Sequence, residues 1–263
     1  NIDLDTVIAG ILHDVPEDTS VTIEEVEREF GPDVARLVRG VTKLGTIKYR
    51  GLERYAENLR KMFVAMAEDV RVMIIKFADR IHNLETLDVL PHQKRYRIAL
   101  ESLEIYAPIA NRLGMAEFKG QLEDLSFKYV YPKEYERIKK LMDEKLRGKE
   151  KYLQAVQERA RTELKKSGIP IIELYGRNKR LYSFYQKLLR KGNDVAKVYD
   201  LVAIRVIVPT VADCYATLGI LHKLWKPLPG RIKDYIAQPK SNRYQSLHTT
   251  IFDDRGEVIE FQI

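Results

Sequence analysis

The segment Leu12-His13-Asp14-Val15-Pro16-Glu17-Asp18 gathers one imidazole and three carboxylates behind an apolar helical pattern. Continued as a helix, it would set His13 one turn from Glu17 and Asp14 one turn from Asp18, a metal-binding pair beside carboxylates able to orient water. Imidazole and carboxylate together suit a hard or borderline divalent ion, and Mn²⁺ better than thiolate-seeking metals. Such a site needs a further acid. Lys76-Phe77-Ala78-Asp79-Arg80-Ile81-His82-Asn83 offers one, with Asp79, His82 and Asn83 on or near one face of an otherwise apolar helix. Pro16 is tolerable only where a helix breaks, because proline lacks the N–H and its ring clashes with the preceding turn. The plainer alternative, a surface cap at His13-Asp14 and an ordinary Asp79-Arg80 ion pair, stays open on pattern alone.

A second group lies in the C-terminal half. No GxxxxGK[ST] loop and no GxGxxG follows a strand, so phosphate would have to be held otherwise. Gly176-Arg177-Asn178-Lys179-Arg180-Leu181-Tyr182-Ser183 opens a helix carrying Lys187 and Arg190, which aims cations and helix N–H groups at one place. A solvated basic helix face would read the same way. Asp200 opens a central strand and Glu260 lies in the final one, so the two could share a Mg²⁺ that bridges phosphate oxygens. Either could equally face solvent. Between them, Arg231 and Lys233 precede Pro239-Lys240-Ser241-Asn242-Arg243-Tyr244-Gln245-Ser246-Leu247-His248, where Tyr244 can stack on a base and Lys240, Asn242 and His248 can reach phosphate or base edges.

The elements that must position these groups divide the chain. Its 263 residues suit about two domains at roughly 150 residues each. Residues 1–130 read as helical, with Met62, Phe63, Met66, Val70, Met73, Ile74, Phe77, Ile81 and Leu84, preceded by Leu59, at the spacing of one buried helix face. Ser20 or Thr22 should cap a helix that Gly31-Pro32 ends. Residues 131–167 form a Lys/Glu-rich helical connector. Residues 168–263 are mixed α/β, with strands over Ile169–Tyr175 and Leu201–Val208, helices over 179–190 and 212–224, and a terminal hairpin of 248–252 and 258–263. Hydrophobic residues at 45% and charged residues at 32% exclude a disordered tail, and no apolar run approaches the ~20 residues of a membrane span. A single cysteine, Cys214, excludes an intramolecular disulfide and a zinc knuckle. A soluble, cytoplasmic protein is therefore expected. The net charge of +7 suits an anionic partner without choosing one. A start without Met and a final apolar alternation suggest part of a longer polypeptide.

At these residues the chain resembles the RelA/SpoT family of bifunctional (p)ppGpp synthetase/hydrolases. His13-Asp14-x-x-Glu17-Asp18, Glu57-Asn58-Leu59-Arg60-Lys61-Met62, Asp79-Arg80-x-His82-Asn83-Leu84 and Glu104-Ile105-Tyr106-Ala107-Pro108 are similar to its HD hydrolase domain. The start at Gly176, Tyr199-Asp200-Leu201-Val202-Ala203-Ile204-Arg205, the stretch Trp225 to Thr250 and Glu260-Phe261-Gln262-Ile263 are similar to its synthetase domain. The implied architecture is an all-helical HD-type domain followed by a mixed-sheet, nucleotidyltransferase-like α/β domain.

The resemblance implies that His13, Asp14 and Asp79 hold Mn²⁺ with a further histidine upstream of residue 1. Glu17 and Asp18 orient the attacking water, and Asn83 and Thr86 line the nucleotide pocket. In the other half it implies that Asp200 and Glu260 hold Mg²⁺ and activate the 3′-hydroxyl. Tyr244 stacks on guanine, Arg177, Lys179, Ser183 and Lys187 hold ATP, and Arg231, Lys233, Lys240, Asn242 and His248 surround the nucleotides. The implied reactions are pyrophosphoryl transfer from ATP to GDP or GTP, and removal of the 3′-pyrophosphate from (p)ppGpp, with the connector biasing one site against the other. The Arg231-Ile232-Lys233-Asp234 string is similar to the basic form found in bifunctional members. Departures are Pro16 for an aliphatic residue, Arg180 for histidine and Arg243 for glycine, the residue suited to positive φ. Two other readings remain: one activity retained with the other half regulatory, or a basic RNA- or ribosome-binding module. Within the family reading, ribosome contact is expected only through domains outside this chain.

Overall fold

The computed structural model describes residues 2–45, 60, 62–148, 150–178, 180–194 and 202–263. Two compact units emerge: residues 1–110 with 115–130, and residues 111–114 with 131–263.

The first unit is helical: α1 (Leu4–Leu12), α2 (Val15–Asp18), α3 (Ile23–Phe30), α4 (Pro32–Gly45), α5 (Val70–Glu85), α6 (His92–Glu101), α7 (Ala107–Arg112) and α8 (Ala116–Val130), with a π-helical turn at Ser102–Tyr106 joining α6 to α7. Thr22 caps α3 in a complete capping box, its side chain accepting from Glu25 N while the Glu25 side chain accepts from Thr22 N. Gly31, at φ 90°, ends that helix, as its sequence position predicts. On α5 the buried apolar set is Val72, Met73, Ile75, Phe77, Ile81 and Leu84, while Val70 at the helix start is exposed. Phe63 is exposed as well, so the expected stripe is narrower than its apolar spacing suggested, and Leu59 lies outside the described residues. Helices α4 and α5 approach closely at Gly40, where a Cβ would meet Val72 Cγ2 at 2.7 Å.

The expected continuous helix through His13 to Asp18 is two helices. His13 caps α1 and Asp14 caps α2, with Pro16 in the first turn of α2, where a missing N–H costs nothing.

The second unit opens with α9 (Pro132–Leu146) and α10 (Glu150–Lys166). These helices span the stretch 131–167 read from sequence as a helical connector. The chain breaks at Gly148, φ 76°, and Val156, Ala160 and Leu164 of α10 enter the core of the sheet. The sheet comprises β1 (Glu173–Asn178), β2 (Val202–Ile207), β3 (Lys226–Pro227), β4 (Lys233–Asp234), β5 (Leu247–Phe252) and β6 (Val258–Gln262), with α11 (Leu181–Arg190) and α12 (Val211–Leu224) between strands. Its order is β1-β2-β6-β5-β3, with β4 also on β5. Among the described residues only β2 and β6 pair in parallel. The first strand starts later than the β-rich run 169–175 suggested, since Pro170 offers no N–H to a ladder.

Alternation along β5 and β6 decides the site. Leu247, Thr249, Ile251, Ile259 and Phe261 turn into the core, where Trp225 stacks on Phe261 at 5.7 Å. His248, Thr250, Glu260 and Gln262 occupy the other face. Each large side chain buried this fully contributes roughly 1.5–3 kcal/mol, which fixes the register and hence the outward set.

Candidate functional site

In the helical unit, α1 delivers His13 and α5 delivers Asp79 to one cavity of about 590 Å³, lined also by Thr6, Gly10, Asp14, Ala78, His82 and Asn83. His13 Nε2 lies 3.0 Å from Asp14 Oδ2 and 3.7 Å from Asp79 Oδ1. One ligand atom from each of His13, Asp14 and Asp79 falls within 4.8 Å of the others. His13 Nδ1 donates to Gly10 O at 2.8 Å, an assignment of the tautomer that leaves Nε2 with its lone pair toward the acids. Nε2 is buried and makes no hydrogen bond of acceptable geometry. A buried, orphaned imidazole nitrogen between two carboxylates fits a divalent cation.

Asp79 is mostly buried, and burial alone would raise its pKa. The His13 imidazole and the Lys76 ammonium more than reverse that and hold it well below the usual carboxylate range. Asp79, foremost, raises the proton affinity of His13 against the opposing effect of burial. Asn83 Nδ2 donates to Asp79 Oδ1 at 2.6 Å. Arg80 does not pair with Asp79 as the ordinary ion-pair reading would have it. It is partly buried, donates to Tyr106 Oη at 3.0 Å and sits 3.5 Å from Glu101 Oε2.

His13, Asp14, Asp79 and Asn83 thus come together. Glu17 and Asp18 are exposed on α2, and Thr86 caps α5 with Oγ1 donating to His82 O at 3.1 Å; none of the three lines the cavity. Lys76, within hydrogen-bond distance of a candidate ligand, escaped the sequence reading. Its signal is a lysine three residues before Asp79 in an apolar run.

In the α/β unit, β5 and β6 bring His248 and Glu260 together as diagonal neighbours. A hydrogen-bonded chain runs from Tyr244 Oη to His248 Nε2 at 2.9 Å and from His248 Nδ1 to Glu260 Oε1 at 3.0 Å. Tyr235 packs edge-on against both Tyr244 and His248, an aromatic support that sequence reasoning did not assign. Lys240 Nζ lies 4.8 Å from the Tyr244 ring centroid and 4.5 Å from that of Tyr235. Asn242 Oδ1 accepts from Tyr244 N, and Arg243 N donates to Lys240 O, closing the turn that presents Tyr244. Arg243 takes φ 62°, the left-handed conformation foreseen for a glycine there. Lys233 on β4 pairs with His248, and Arg231 is exposed just before it. Ser183 and Lys187, one turn apart on α11, share a helix face, and β1 carries the backbone of Arg177. Lys179, Asp200 and the segment Glu57-Asn58-Leu59 with Lys61 lie outside the described residues, as do Tyr199 and Leu201.

Among the described residues no helix is long and apolar enough to cross a membrane. Residues 1–116 match the HD domain, and residues 176–263 match the region found in RelA / SpoT proteins. Over 263 residues the chain is 49% identical to a guanosine-3′,5′-bis(diphosphate) 3′-pyrophosphohydrolase of Aquifex aeolicus, all of this chain aligning with 37% of that protein. It is 50% identical over 258 residues to a GTP pyrophosphokinase of Streptomyces coelicolor, 98% of this chain aligning with 30% of that protein. The chain spans about a third of the length of such relatives. With an HD domain followed by the RelA/SpoT region, and relatives of that type aligned along its whole length, the chain belongs to the RelA/SpoT family.

Proposed function

We propose that the helical unit removes the 3′-pyrophosphate of (p)ppGpp and that the α/β unit makes (p)ppGpp from ATP and GDP or GTP. The observation that carries the first half is the orphaned Nε2 of His13 between Asp14 and Asp79 at the head of a nucleotide-sized cavity. These three residues would hold Mn²⁺, which when bound lowers the pKa of a water and offsets phosphate charge. Gly10 O holds the His13 tautomer, and Asn83 and His82 stand at the cavity wall, where a nucleoside could be gripped. Water oxygen attacks the phosphorus attached to the 3′-oxygen, the bond between that phosphorus and the 3′-oxygen breaks, and pyrophosphate leaves a nucleotide with a free 3′-hydroxyl. Glu17 and Asp18 are assigned to orienting that water, which requires α2 to approach the cavity when substrate is bound.

In the second half the 3′-hydroxyl oxygen attacks the β-phosphorus of ATP, the bond from that phosphorus to the α,β-bridging oxygen breaks, and AMP leaves. Glu260 takes the hydroxyl proton and, with Asp200, would hold Mg²⁺. His248 fixes the carboxylate through Nδ1 and orients Tyr244 through Nε2. Tyr244 stacks on guanine. Ser183, Lys187, Arg177 and Lys179 hold the ATP phosphates, and Arg231, Lys233 and Asn242 complete the nucleotide site. The protein works in the cytoplasm, where these nucleotides are, and any ribosome contact would be made by other domains of a longer polypeptide.

Two separate assays test the reading: ppGpp with Mn²⁺, scored for pyrophosphate, and ATP with GDP or GTP and Mg²⁺, scored for AMP and (p)ppGpp. Activity in both supports it. Activity in neither, with RNA binding that weakens steeply with salt, would replace it by a nucleic-acid-binding reading.

A further inference from the structure

Lys76 is 8% exposed, and a buried ammonium costs several kcal/mol unless it is paired. It is paired with Asp79, Nζ to Oδ2 at 2.8 Å, one turn along α5. Asp79 lines the cavity and Lys76 does not, so the ammonium reaches the carboxylate from the protein side. The other oxygen, Oδ1, accepts from Asn83 and faces His13 Nε2. The two oxygens therefore have different partners, one turned inward to a cation and one turned toward the imidazole.

We propose that Lys76 is a positioning residue of this metal site, holding Asp79 so that Oδ1 alone is presented to the cation beside His13 Nε2. The proposal rests on the reading of His13, Asp14 and Asp79 as ligands. A carboxylate tied at one oxygen cannot swing about its terminal torsion, so the cation meets one donor in a fixed direction. Without the lysine, Asp79 would be free to turn Oδ2 toward the cavity or to close on Asn83. Removing a positive charge would by itself favour cation binding. The loss of orientation is expected to outweigh that, because partners of metal-ligating carboxylates typically set affinity by about 10–100-fold. A merely structural ion pair makes the opposite forecast: lower stability of the fold with cation affinity unchanged.

The test is a Mn²⁺ titration without nucleotide, read by the loss of the free-ion electron paramagnetic resonance signal, on the parent chain, Lys76→Met and Lys76→Gln. Thermal melts in chelator run alongside. Lys76→Met keeps the side-chain length without charge, and Lys76→Gln keeps a neutral donor. The expected result is a Mn²⁺ affinity about 10–100-fold weaker in Lys76→Met and less weakened in Lys76→Gln, with cooperative melting retained. Parent-like affinity in both variants overturns the proposal, whatever happens to the melting temperature. Should Lys76→Met fail to fold, Lys76→Gln decides by the same criterion. A His13→Ala control separates the two levels of the argument. If it binds Mn²⁺ as the parent does, or the parent binds none, the ligand reading fails and takes this inference with it.

Discussion

Asp79 and Glu260, one acid from each of the two proposed sites, are held in unlike ways. Asp79 is fixed by an ammonium and an amide, and beside it stands an imidazole nitrogen with nothing to bond. Glu260 is fixed by an imidazole whose far nitrogen is itself engaged by Tyr244. The first arrangement is a set of donors arranged for a cation; the second is a closed hydrogen-bond chain that joins the residue assigned to the base with the residue assigned to the hydroxyl proton. On the proposed reading, cation binding in the helical unit would need little rearrangement, whereas nucleotide binding in the α/β unit would act on the acid through two intervening hydrogen bonds.

The sharpest way to break this contrast is a double dissociation. Asp79→Asn should reduce Mn²⁺-dependent hydrolysis to background and leave synthesis intact; Glu260→Gln should do the reverse. Loss of both activities in either variant would mean that the two acids do not belong to separate sites. Next in size, Tyr244→Ala should raise the KM for the guanine nucleotide by the worth of one stacked base, about 1–3 kcal/mol. Tyr244→Phe keeps the ring but cuts the link to His248, and should cost only about 0.5–1.5 kcal/mol, in kcat rather than KM. A KM effect in Tyr244→Phe would show the phenol contacting nucleotide rather than acting through His248.

The helical unit can be perturbed by packing alone. Gly40→Ala places a methyl where Val72 Cγ2 already lies, at 2.7 Å, and should destabilise by about 1–3 kcal/mol in urea melts. No change would mean that α4 and α5 move apart without cost.

The half-buried histidines sharpen the contrast in another way. His222, bonded to Thr249 Oγ1 at 2.8 Å, has its pKa lowered by burial, while that of His13 is raised by Asp79. A depressed histidine binds fewer protons folded than unfolded, so the stability it confers is complete above about pH 6.5 and is lost as pH falls through the folded value. His222→Gln should flatten that acid limb in melts taken from pH 7 to pH 5; an unaltered slope would move its cause elsewhere.

Much of this was legible in the sequence because short-range rules sufficed. Thr22 with Glu25, Gly31 before Pro32, and the alternation of Leu247 to Phe252 each announce their own element. Asp79, His82 and Asn83 fall on one face by helical spacing alone. What stayed hidden depended on tertiary partners. The Lys/Glu-rich surface of α10 conceals Val156, Ala160 and Leu164, which pack it into the core of the sheet. Lys76 reads as a helix former until its carboxylate is found. The sequence alone did not show that Glu260 would meet His248, because that contact requires the β5–β6 register.

Arg243 provides the smallest and most discriminating perturbation. At φ 62° a non-glycine residue costs roughly 1–2 kcal/mol, and glycine recovers that less the extra freedom it gains when unfolded, about 0.5–1 kcal/mol. Arg243→Gly should therefore raise stability by up to about 1.5 kcal/mol. The turn itself is held by Arg243 N on Lys240 O and by Asn242 Oδ1 on Tyr244 N, and both bonds survive the substitution. Tyr244 should stay in place and synthesis should continue at the parent rate. If stability rises but the KM for ATP or the guanine nucleotide rises with it, the guanidinium itself contacts a phosphate, and the cost of its backbone conformation is what the α/β site bears to keep that contact.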